Sequence, residues 1–381
     1  MKDPERAGYR IVGGRELRKG YTTGSCAAAA SAAAAYMAVS GKQADEAAIT
    51  LPAGERVVFE IANASIFAEG ARCSVKKDGG DDPDVTTGLD IFAEVTLSDN
   101  GVIEIDGGDG VGRVTKEGLQ IPPGKPAINP VPRRMIAKSV QEVFDSFSFG
   151  GGAKVTISVP GGEAVAKRTF NPMLGITGGI SIIGTTGIVE PMSEDAIVAT
   201  TNILIDRRFI EDPEKILITP GNYGSDFCRD HLKLDLKQAV QVSNYVGEAL
   251  DYIRYKSFRK VLFVGHTGKL IKTAASIMNT HSGYADGRME IIAAYAAANG
   301  ADTRAVRDIL GCITTDKAFD VIRGSSFESA VKKEITDKAL FHLRRRLGEQ
   351  AELELVMFTT DRDSIMRSDG AEALIAEFRT V

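Results

Sequence analysis

Three glycine-rich loops contain the residue types that hold polar or anionic ligands. They read GTTGIVEP from Gly184 to Pro191, TPGNYGSD from Thr219 to Asp226, and GHTGK from Gly265 to Lys269. Glycine permits close backbone approach, and the free N–H groups of a following helix can bind a ligand. Ordinary turn formation accounts for any one loop. Three such loops at the carboxyl ends of strands predict a cofactor pocket.

Two side chains in turn-rich loops are candidates for proton transfer. His266 lies in the GHTGK loop and is preferred over His281, and Asp82 belongs to the aspartate-rich segment 76–88. A carboxylate in a closed pocket can have its pKa raised towards neutrality and then act as a general base. Aspartate is also a common turn residue, so a structural role for the segment stays open. His266 and Asp82 are the predicted catalytic residues.

The segment GYTTGSC, residues 20–26, runs directly into an alanine-rich helix. Thr23 or Ser25 can cap that helix, which leaves the other hydroxyl surplus. A helix N-terminus also presents free N–H groups and partial positive charge. The same field lowers the pKa of a first-turn thiol, but Cys26 is interpreted as small packing. We therefore predict an anion seat formed by Thr22, Thr23, Gly24 and Ser25.

The first part of the chain mixes short strands of alternating polarity with two helices. This pattern is typical of an α+β domain with a mixed sheet. The predicted elements are strands 57–61, 90–97, 102–105 and 154–159, the alanine-rich helix and an amphipathic helix at 133–147. We predict a first domain over residues 1–172.

The second part alternates continuously apolar strands with long amphipathic helices, as in a parallel sheet covered on both faces. The predicted strands are 180–183, 216–219, 261–264 and 353–358. The predicted helices are 193–207, 238–255, 269–281, 289–299 and a longer one opened by a capping box at Ser325–Glu328. The whole chain is thus predicted to be α/β, with a doubly wound, mainly parallel, Rossmann-like second domain over residues 173–381.

Composition narrows the class of partner. The chain has 381 residues and a formal net charge of −5, so a basic surface for nucleic acid or membrane is not expected. No segment has the pattern of a signal peptide or membrane span, which predicts a cytoplasmic protein. Four scattered cysteines and the lack of metal-ligand spacing predict no disulfide framework and no protein-held metal. Small molecules are the expected partners, and a homo-oligomer stays open.

One of these loops and one further glycine-rich stretch are similar to nucleotide or cofactor loops but fail the required pattern. In GHTGKL, a P-loop would need glycine where Phe263 stands and a hydroxyl where Leu270 stands, so a kinase or ATPase is disfavoured. The stretch VIEIDGGDGVG, residues 102–112, follows a strand but opens no helix. We interpret it as a substrate-facing loop.

Six stretches, in order over roughly residues 17–360, together resemble one family, the cobalt-precorrin-5B C(1)-methyltransferases or CbiD family. They are TTGSC before the alanine helix, GGDDPDVTTGLDIFAEV, GDGVGRVTKEGLQIPPGKPAINPVPRRMI, GISIIGTTGIVEPMSEDA, ITPGNYGSDF and GHTGKLIKTAASIMNTHSGYADGRMEIIAAYAAANGA. The resemblance implies methyl transfer from S-adenosylmethionine to the C-1 ring carbon of cobalt-precorrin-5B, giving cobalt-precorrin-6A in anaerobic cobalamin synthesis. Cobalt would enter only as part of this substrate. A non-catalytic corrinoid carrier or scaffold is the alternative.

This interpretation requires two ligand sites. The adenosyl cofactor is predicted at the sheet edge of the second domain, with Asp226 on the ribose hydroxyls and Tyr223 stacked on adenine. Its predicted ligands are Gly221, Asn222, Tyr223, Gly224, Asp226, Gly265, His266 and Gly268. The carboxylates of the corrinoid need cationic or N–H partners, which we predict in the first domain. Those partners are Thr22, Thr23, Gly24, Ser25, Arg113, Lys116, Arg133 and Arg134.

Overall fold

The computed structural model describes residues 8–12, 14–361 and 364–379. The chain divides into two compact units, residues 1–193 and 194–381. Both units contain helices and strands, which confirms the predicted mixed α/β class. Within the described ranges, no helix is long and apolar enough to cross a membrane.

The first unit is built around a mixed five-stranded sheet. Its strands in chain order are β1 (Tyr9–Val12), β2 (Arg15–Arg18), β3 (Gly20–Tyr21), β4 (Glu46–Thr50), β5 (Arg56–Glu60), β6 (Ala62–Phe67), β7 (Gly70–Lys76), β8 (Asp90–Ser98), β9 (Ile103–Gly107), β10 (Gly110–Val111), β11 (Arg113–Val114), β12 (Gly152–Ser158), β13 (Ile176–Thr177), β14 (Gly179–Ile180) and β15 (Ile188–Val189). The sheet order is β6-β7-β8-β12-β9. β12 pairs antiparallel with β8 and parallel with β9, so the sheet is mixed.

Helices cover one face of this sheet. They are α1 (Thr23–Ser40) and α2 (Pro130–Ser146), and a short α3 (Gly162–Ala166) follows β12. Every side chain of α1 from Thr23 to Ala35 is buried, and α1 contacts α2, β7 and β8. Alanine has the highest helix propensity and the smallest helix-compatible side chain, so α1 forms readily and lets its neighbours approach its backbone. Gly41, at φ 68°, ends the helix in the left-handed conformation.

The opposite face of the sheet is open and polar. Along β8, Ile91, Ala93 and Val95 are fully buried, whereas Phe92 and Glu94 between them are only half-buried. Successive residues of a strand point to opposite faces, so the buried set faces the helices and the other set faces outward. The sequence predicted this alternation for residues 90–97.

Residues 176–189 belong to the first unit, which corrects two expectations from sequence. The predicted buried strand at 180–183 reduces to β14, and β14 pairs with β10 of the first unit rather than joining the second sheet. β15 likewise pairs with β3. The division between units therefore falls after Ser193 instead of the predicted 172/173. Short apolar runs do not reveal their pairing partner, because one strand pattern serves either sheet.

The second unit contains a five-stranded sheet with helices between its strands. The strands are β16 (Lys215–Thr219), β17 (Ala239–Gln241), β18 (Lys260–His266), β19 (Glu352–Phe358) and β20 (Ile365–Arg367). The helices are α4 (Glu194–Glu211), α5 (Asn222–Phe227), α6 (Val246–Lys256), α7 (Thr267–Leu270), α8 (Arg288–Ala298), α9 (Thr303–Leu310), α10 (Thr315–Ile322), α11 (Glu328–Leu347) and α12 (Ala371–Arg379). The order β17-β16-β18-β19-β20 is parallel except for the antiparallel edge strand β20.

Three predicted helix boundaries in this unit differ from the structure. The helix expected at 238–255 begins only at Val246, because residues 239–241 form β17. The helix expected at 269–281 is confined to short turns that end at Ala275. The expected capping box does not form at the start of α11: Glu328 accepts from the Gly324 N–H at 2.7 Å, and Ser325 bonds to Ile322.

Candidate functional site

Two of the three predicted cofactor loops meet at the carboxyl ends of β16 and β18. The chain leaves β16 towards β17 on one side and leaves β18 towards β19 on the other. Adjacent parallel strands with diverging connections form a topological switch point, which is where open α/β sheets bind ligands. The loops touch there, since Lys269 Nζ donates to the Pro220 carbonyl at 3.4 Å. The third loop, 184–191, follows β14 of the first unit and not a strand of this sheet, so the expectation that all three loops leave strands of one sheet was wrong.

The loop after β16 combines close packing with open space. A Cβ atom at Gly224 would lie 2.8 Å from the Val264 carbonyl oxygen, so glycine is needed for α5 to lie against β18. A Cβ atom at Gly265 would lie 2.8 Å from the Pro220 side chain, so glycine at this position also allows close packing. At Gly221, by contrast, a Cβ atom would meet nothing within 4 Å. Gly221 therefore borders free volume at the switch point.

Two predicted cofactor ligands already have protein partners. Asn222 Oδ1 accepts from Gln241 Nε2 at 3.1 Å. Asp226 forms an ion pair with Arg229 at 2.9 Å. A carboxylate has two oxygens and several lone pairs, so a ribose hydroxyl would share Asp226 with Arg229. Asn222 and Asp226 are thus held by residues that follow the loop, Gln241 on β17 and Arg229 after α5.

Tyr223 and His266 stand next to each other at this edge. The Tyr223 side chain is 73% exposed, which is high for a tyrosine and leaves both ring faces available. Its ring centroid lies 6.1 Å from that of His266. An exposed aromatic ring beside free volume is suited to stacking on a flat ligand group.

Both ring nitrogens of His266 are engaged in hydrogen bonds. Nδ1 accepts from the Gly268 N–H at 2.9 Å, and Nε2 lies 2.9 Å from Thr360 Oγ1. Asp316 Oδ2 is 3.7 Å from the same Nε2. Because Nδ1 accepts a hydrogen bond, the proton of the neutral ring must be on Nε2. Gly268 therefore fixes the tautomer of His266.

The electrostatic surroundings favour the neutral form of this ring. Burial lowers the pKa of His266 below its usual 6.5, and the Asp316 carboxylate opposes that shift without reversing it. In the neutral tautomer the only lone pair of the ring is held by Gly268. His266 can therefore donate through Nε2, but acting as a base would require it to give up the Gly268 contact.

The partners of His266 were missed from sequence. Asp316 Oδ1 also accepts from the Thr360 N–H at 2.6 Å, and Thr315 lies 3.0 Å from Thr267 through buried hydroxyls. A signal existed: the tripeptide Thr-Thr-Asp occurs at both 314–316 and 359–361. The two copies lie together at the end of β18, and neither copy by itself reveals this proximity.

A buried lysine lies behind the same edge. Lys272 is 2% exposed, and its Nζ donates to the carbonyls of Thr280 and Ala285 at 3.2 and 2.8 Å. Burial lowers the pKa of Lys272, and burial together with Lys272 lowers that of Lys269. Lys272 thus ties residues 280–285 to the segment that follows His266.

The predicted anion seat at the start of α1 is occupied by the protein's own groups. Thr22, rather than Thr23 or Ser25, is the N-cap, and its hydroxyl accepts from the Ser25 N–H at 3.2 Å. Ser25 Oγ donates to the Gly187 carbonyl at 2.7 Å. Thr23 Oγ1 accepts from the Ile183 N–H at 2.9 Å. The surplus hydroxyls hold the loop 181–187.

The backbone at this helix start is equally closed. The Gly24 N–H donates to the Ile183 carbonyl at 2.9 Å, and a Cβ atom on Gly24 would lie 2.7 Å from Pro132. Thr22, Thr23 and Ser25 are 8%, 3% and 0% exposed. The structure therefore gives these four residues a packing role, and their assignment to substrate stays a prediction without support from their contacts.

The aspartates of segment 76–88 divide into paired and open side chains. Asp84 bonds to the buried Lys77 at 2.6 Å, and Asp78 forms a two-pronged pair with Arg18 at 2.7 Å. Asp82 Oδ1 accepts from the Met192 N–H at 2.9 Å. The second oxygen of Asp82 has no partner among the described residues. Asp82 thus retains a free acceptor.

The predicted basic ligands are arranged around the start of α2 and strand β11. Arg133 is half-buried and donates to the carbonyls of Ile128 and Ile105, each at 3.0 Å. Arg113 contacts Asp106 at 3.3 Å. Arg134 is exposed and has no side-chain partner in the described part of the chain. Lys116 is exposed on the loop after β11. Arg134 is therefore the most available cation of the four.

Three of the four cysteines are buried in the structure. Burial raises the pKa values of Cys26, Cys73 and Cys228 to about 12, so the expected lowering at Cys26 by the helix field does not prevail. No group of three or more His, Cys, Asp or Glu side chains with metal-binding geometry occurs among the residues described.

Comparison with known proteins identifies the relatives of this chain. The CbiD family model matches residues 11–191, and the model of the CbiD C-terminal domain matches residues 279–369. The cobalt-precorrin-5B C(1)-methyltransferase of Ruminiclostridium cellulolyticum is 48% identical, over 92% of this chain and 91% of that protein. The protein of the same name from a Thermoanaerobacter species is 42% identical, over 94% and 98%.

A solved relative is also similar in sequence. The crystal structure of the cobalamin biosynthesis protein CbiD from Archaeoglobus fulgidus is 30% identical, covers 76% of this chain and 92% of its own, and aligns with a TM-score of 0.40. Family models at both ends of the chain, together with relatives aligned over nine-tenths of its length, establish that the chain belongs to the CbiD family.

Proposed function

We propose that this protein transfers a methyl group from S-adenosylmethionine to C-1 of cobalt-precorrin-5B, giving cobalt-precorrin-6A in anaerobic cobalamin biosynthesis. The name shared by relatives that are 48% and 42% identical supports the reaction and the substrate. Cobalt belongs to the substrate. The cytoplasmic location predicted from sequence is part of the proposal.

The meeting of two loops at the switch point is the observation that carries the cofactor assignment. We propose that the second unit is a doubly wound, Rossmann-like domain and that the adenosyl cofactor lies between the ends of β16 and β18. The open space at Gly221 and the 73% exposed Tyr223 ring fit a nucleoside there. Asp226 would share its oxygens between Arg229 and the ribose.

The protein's main contribution to this chemistry is alignment. When bound, the sulfonium supplies a methyl group that is already electrophilic. Holding that carbon in line with the ring carbon can account for about 7–11 kcal/mol of the barrier in favourable systems. Tyr223 and the backbone of the two loops would fix the adenosyl half. The cations of the first unit, with Arg134 the most available, would fix the carboxylates of the macrocycle.

The two predicted catalytic residues are not equivalent as bases. Asp82 has one carboxylate oxygen with no partner among the residues that the structure describes, so it can accept the proton released after methyl transfer. His266 has its only lone pair bound by Gly268. We therefore propose Asp82 as the base and His266 as a donor that orders the loop ends through Nε2.

The test is an anaerobic incubation with cobalt-precorrin-5B and methyl-labelled S-adenosylmethionine, followed by mass analysis of the corrinoid. The expected product gains one labelled methyl group. D82N should bind both ligands but lose turnover, whereas D81N, altered at the neighbouring aspartate, should retain it. Tight corrinoid binding without any methyl gain by the unaltered protein would overturn the proposal in favour of a carrier, which the names of the relatives do not favour.

A further inference from the structure

The open face of the first unit's five-stranded sheet contains a cavity of about 270 Å³. This volume lies just below the roughly 300–1,000 Å³ typical of ligand pockets, so it suits a small molecule or one end of a larger one. None of its polar residues takes part in the proposed reaction. The side chains that line it include Arg72, Phe92, Glu94, Asp109, Thr156 and Ser158.

The charged side chains of this cavity form no hydrogen bond or ion pair within the described part of the chain. They belong to Arg72, Glu94 and Asp109. In segment 76–88, by contrast, the charged groups are paired, since Lys77 pairs with Asp84 and Asp78 pairs with Arg18. A cation and two carboxylates thus line one cavity with their hydrogen-bonding capacity unused.

The register of the sheet sets the spacing of these charges. Arg72 on β7 is directly opposite Glu94 on β8, and Glu94 is directly opposite Thr156 on β12. Directly opposite residues have Cβ atoms about 4.5–5.5 Å apart, so an ion pair between Arg72 and Glu94 would be expected. The Arg72 guanidinium instead lies 4.4 Å above the Phe92 ring. This cation–π contact holds the guanidinium away from Glu94 and leaves its N–H fork open.

We propose that this cavity binds an α-amino acid group. The Arg72 fork binds the carboxylate in two-pronged fashion, as guanidinium geometry favours. Glu94 and Asp109 accept from two of the three ammonium N–H groups, and the hydroxyl of Thr156 or Ser158 accepts from the third. The ammonium and the carboxylate of such a group are attached to the same carbon, so its two charges are close together. The Arg72 and Glu94 side chains, on directly opposite strand positions, are suited to this short separation. A simple anion would meet two carboxylates here, and a simple cation would meet Arg72.

The amino acid group has two chemical sources. One is a free amino acid, and the other is the amino acid end of a larger molecule, for which S-adenosylhomocysteine serves as the probe. The binding chemistry is the same in both. The inference concerns binding alone and does not rest on the proposed methyl transfer, so binding and turnover can fail independently.

The experiment measures binding to the full-length protein by ligand-observed NMR at millimolar concentration. The probes are L-methionine, its deamino analogue methylthiopropionate, its decarboxylated analogue methylthiopropylamine, and S-adenosylhomocysteine. We expect L-methionine to bind and both one-charge analogues to bind at least about tenfold more weakly, because each leaves a charged side chain unpaired. R72Q and E94Q should each weaken L-methionine binding by a similar factor.

K154Q is the matched control, because Lys154 is exposed on β12 and does not line the cavity. It should bind L-methionine like the unaltered chain, and the thermal transition should confirm that all variants fold. An R72Q effect on L-methionine alone identifies a free amino acid, and an effect on S-adenosylhomocysteine as well identifies the amino acid end of a larger molecule. If L-methionine does not bind, and R72Q leaves S-adenosylhomocysteine affinity unchanged, the proposal is overturned.

Discussion

The start of α1 and the end of β18 contain similar residues but use them in opposite ways. In both, glycine and threonine residues connect a strand to a helix N-terminus. At α1 every polar group is turned inward, with Ser25 fully buried and bonded to Gly187. At β18 the residues form an edge, with Tyr223 73% exposed beside His266 and open space at Gly221.

The difference lies in what covers each helix start. Loop 181–187 folds over α1 and supplies the carbonyl and N–H partners that a ligand would otherwise provide. At β18, the neighbouring loop contacts the edge through Pro220 and leaves the Tyr223 side chain exposed, while His266 stays half-buried. Glycine and hydroxyl residues before a helix therefore indicate a need for polar partners but not whether protein or ligand supplies them.

The largest effect expected in the closed first unit is at its buried ion pair. D84A leaves the Lys77 ammonium, only 1% exposed, without its carboxylate, and should lower the free energy of unfolding by about 3–5 kcal/mol. Denaturant titration measures this loss. D82N, at the open aspartate of the same loop, should be close to the unaltered chain, and equal losses in both variants would contradict the distinction.

The same pair gives a pH dependence. Burial pushes the pKa of Asp84 upward, but Lys77 and the Thr86 hydrogen bonds outweigh it, so the pKa lies below its usual 3.8. The pair therefore contributes stability above pH 3.8, and that contribution is lost as the pH falls through the lower pKa of the folded state. Unfolding curves of D84N should lack this acid-dependent component.

The next effect separates packing from ligand binding at α1. S25A removes the donor to Gly187 inside a fully buried cluster and should cost about 1–3 kcal/mol of unfolding free energy. Corrinoid affinity of the folded variant should be unchanged, as measured by absorbance titration. Unchanged stability combined with weaker corrinoid binding would support the predicted anion seat and contradict the difference between α1 and β18.

A smaller effect is expected at the open edge. Y223A should leave the free energy of unfolding unchanged because the side chain is 73% exposed. It should weaken S-adenosylmethionine binding by about 2- to 10-fold through loss of stacking, as calorimetric titration would show. Y255A is the control, since Tyr255 is 76% exposed on α6 and away from the two loops. Equal affinities for the two variants would remove Tyr223 from the cofactor site.

The smallest effect concerns the charge of His266. Burial lowers its pKa below 6.5 against the pull of Asp316, so the folded chain resists a proton that the unfolded chain accepts. Its stability contribution is present above pH 6.5 and declines as the pH falls through 6.5 towards the lower pKa of the folded state. H266N, whose amide oxygen can still accept from Gly268, should flatten stability between neutral and mildly acidic pH. A steeper decline in H266N would show that the sign is wrong.

Sequence patterns located three of the five strands in each of the two main sheets. β16, β18 and β19 begin within one residue of the predicted strands, because long apolar runs buried on both faces leave a strong signal. β7 was missed, since GARCSVK alternates weakly, and β14 was assigned to the wrong sheet because two residues cannot indicate their partner. Strand pairing is a long-range property that local periodicity does not contain.

Part of the candidate site was likewise predictable from the sequence. The loops at 219–226 and 265–269 were found because strand ends and glycines are local features. Asp316 and Thr360 were not found, because the register of β18 with β19 and the position of α10 bring them to His266 from distant parts of the chain. The closure of α1 by residues 181–187 was hidden for the same reason.

Because α1 is enclosed, hydrogen exchange of its amides reports the stability of the first unit. Amide protons from Thr23 to Ala35 lie in a helix that is covered by α2 and the sheet along its whole buried length. Such amides exchange with deuterium only when the surrounding structure opens cooperatively, so their exchange rate measures the global unfolding free energy of that unit. One peptide followed by mass spectrometry would thus report the stability of the first unit separately from that of the second.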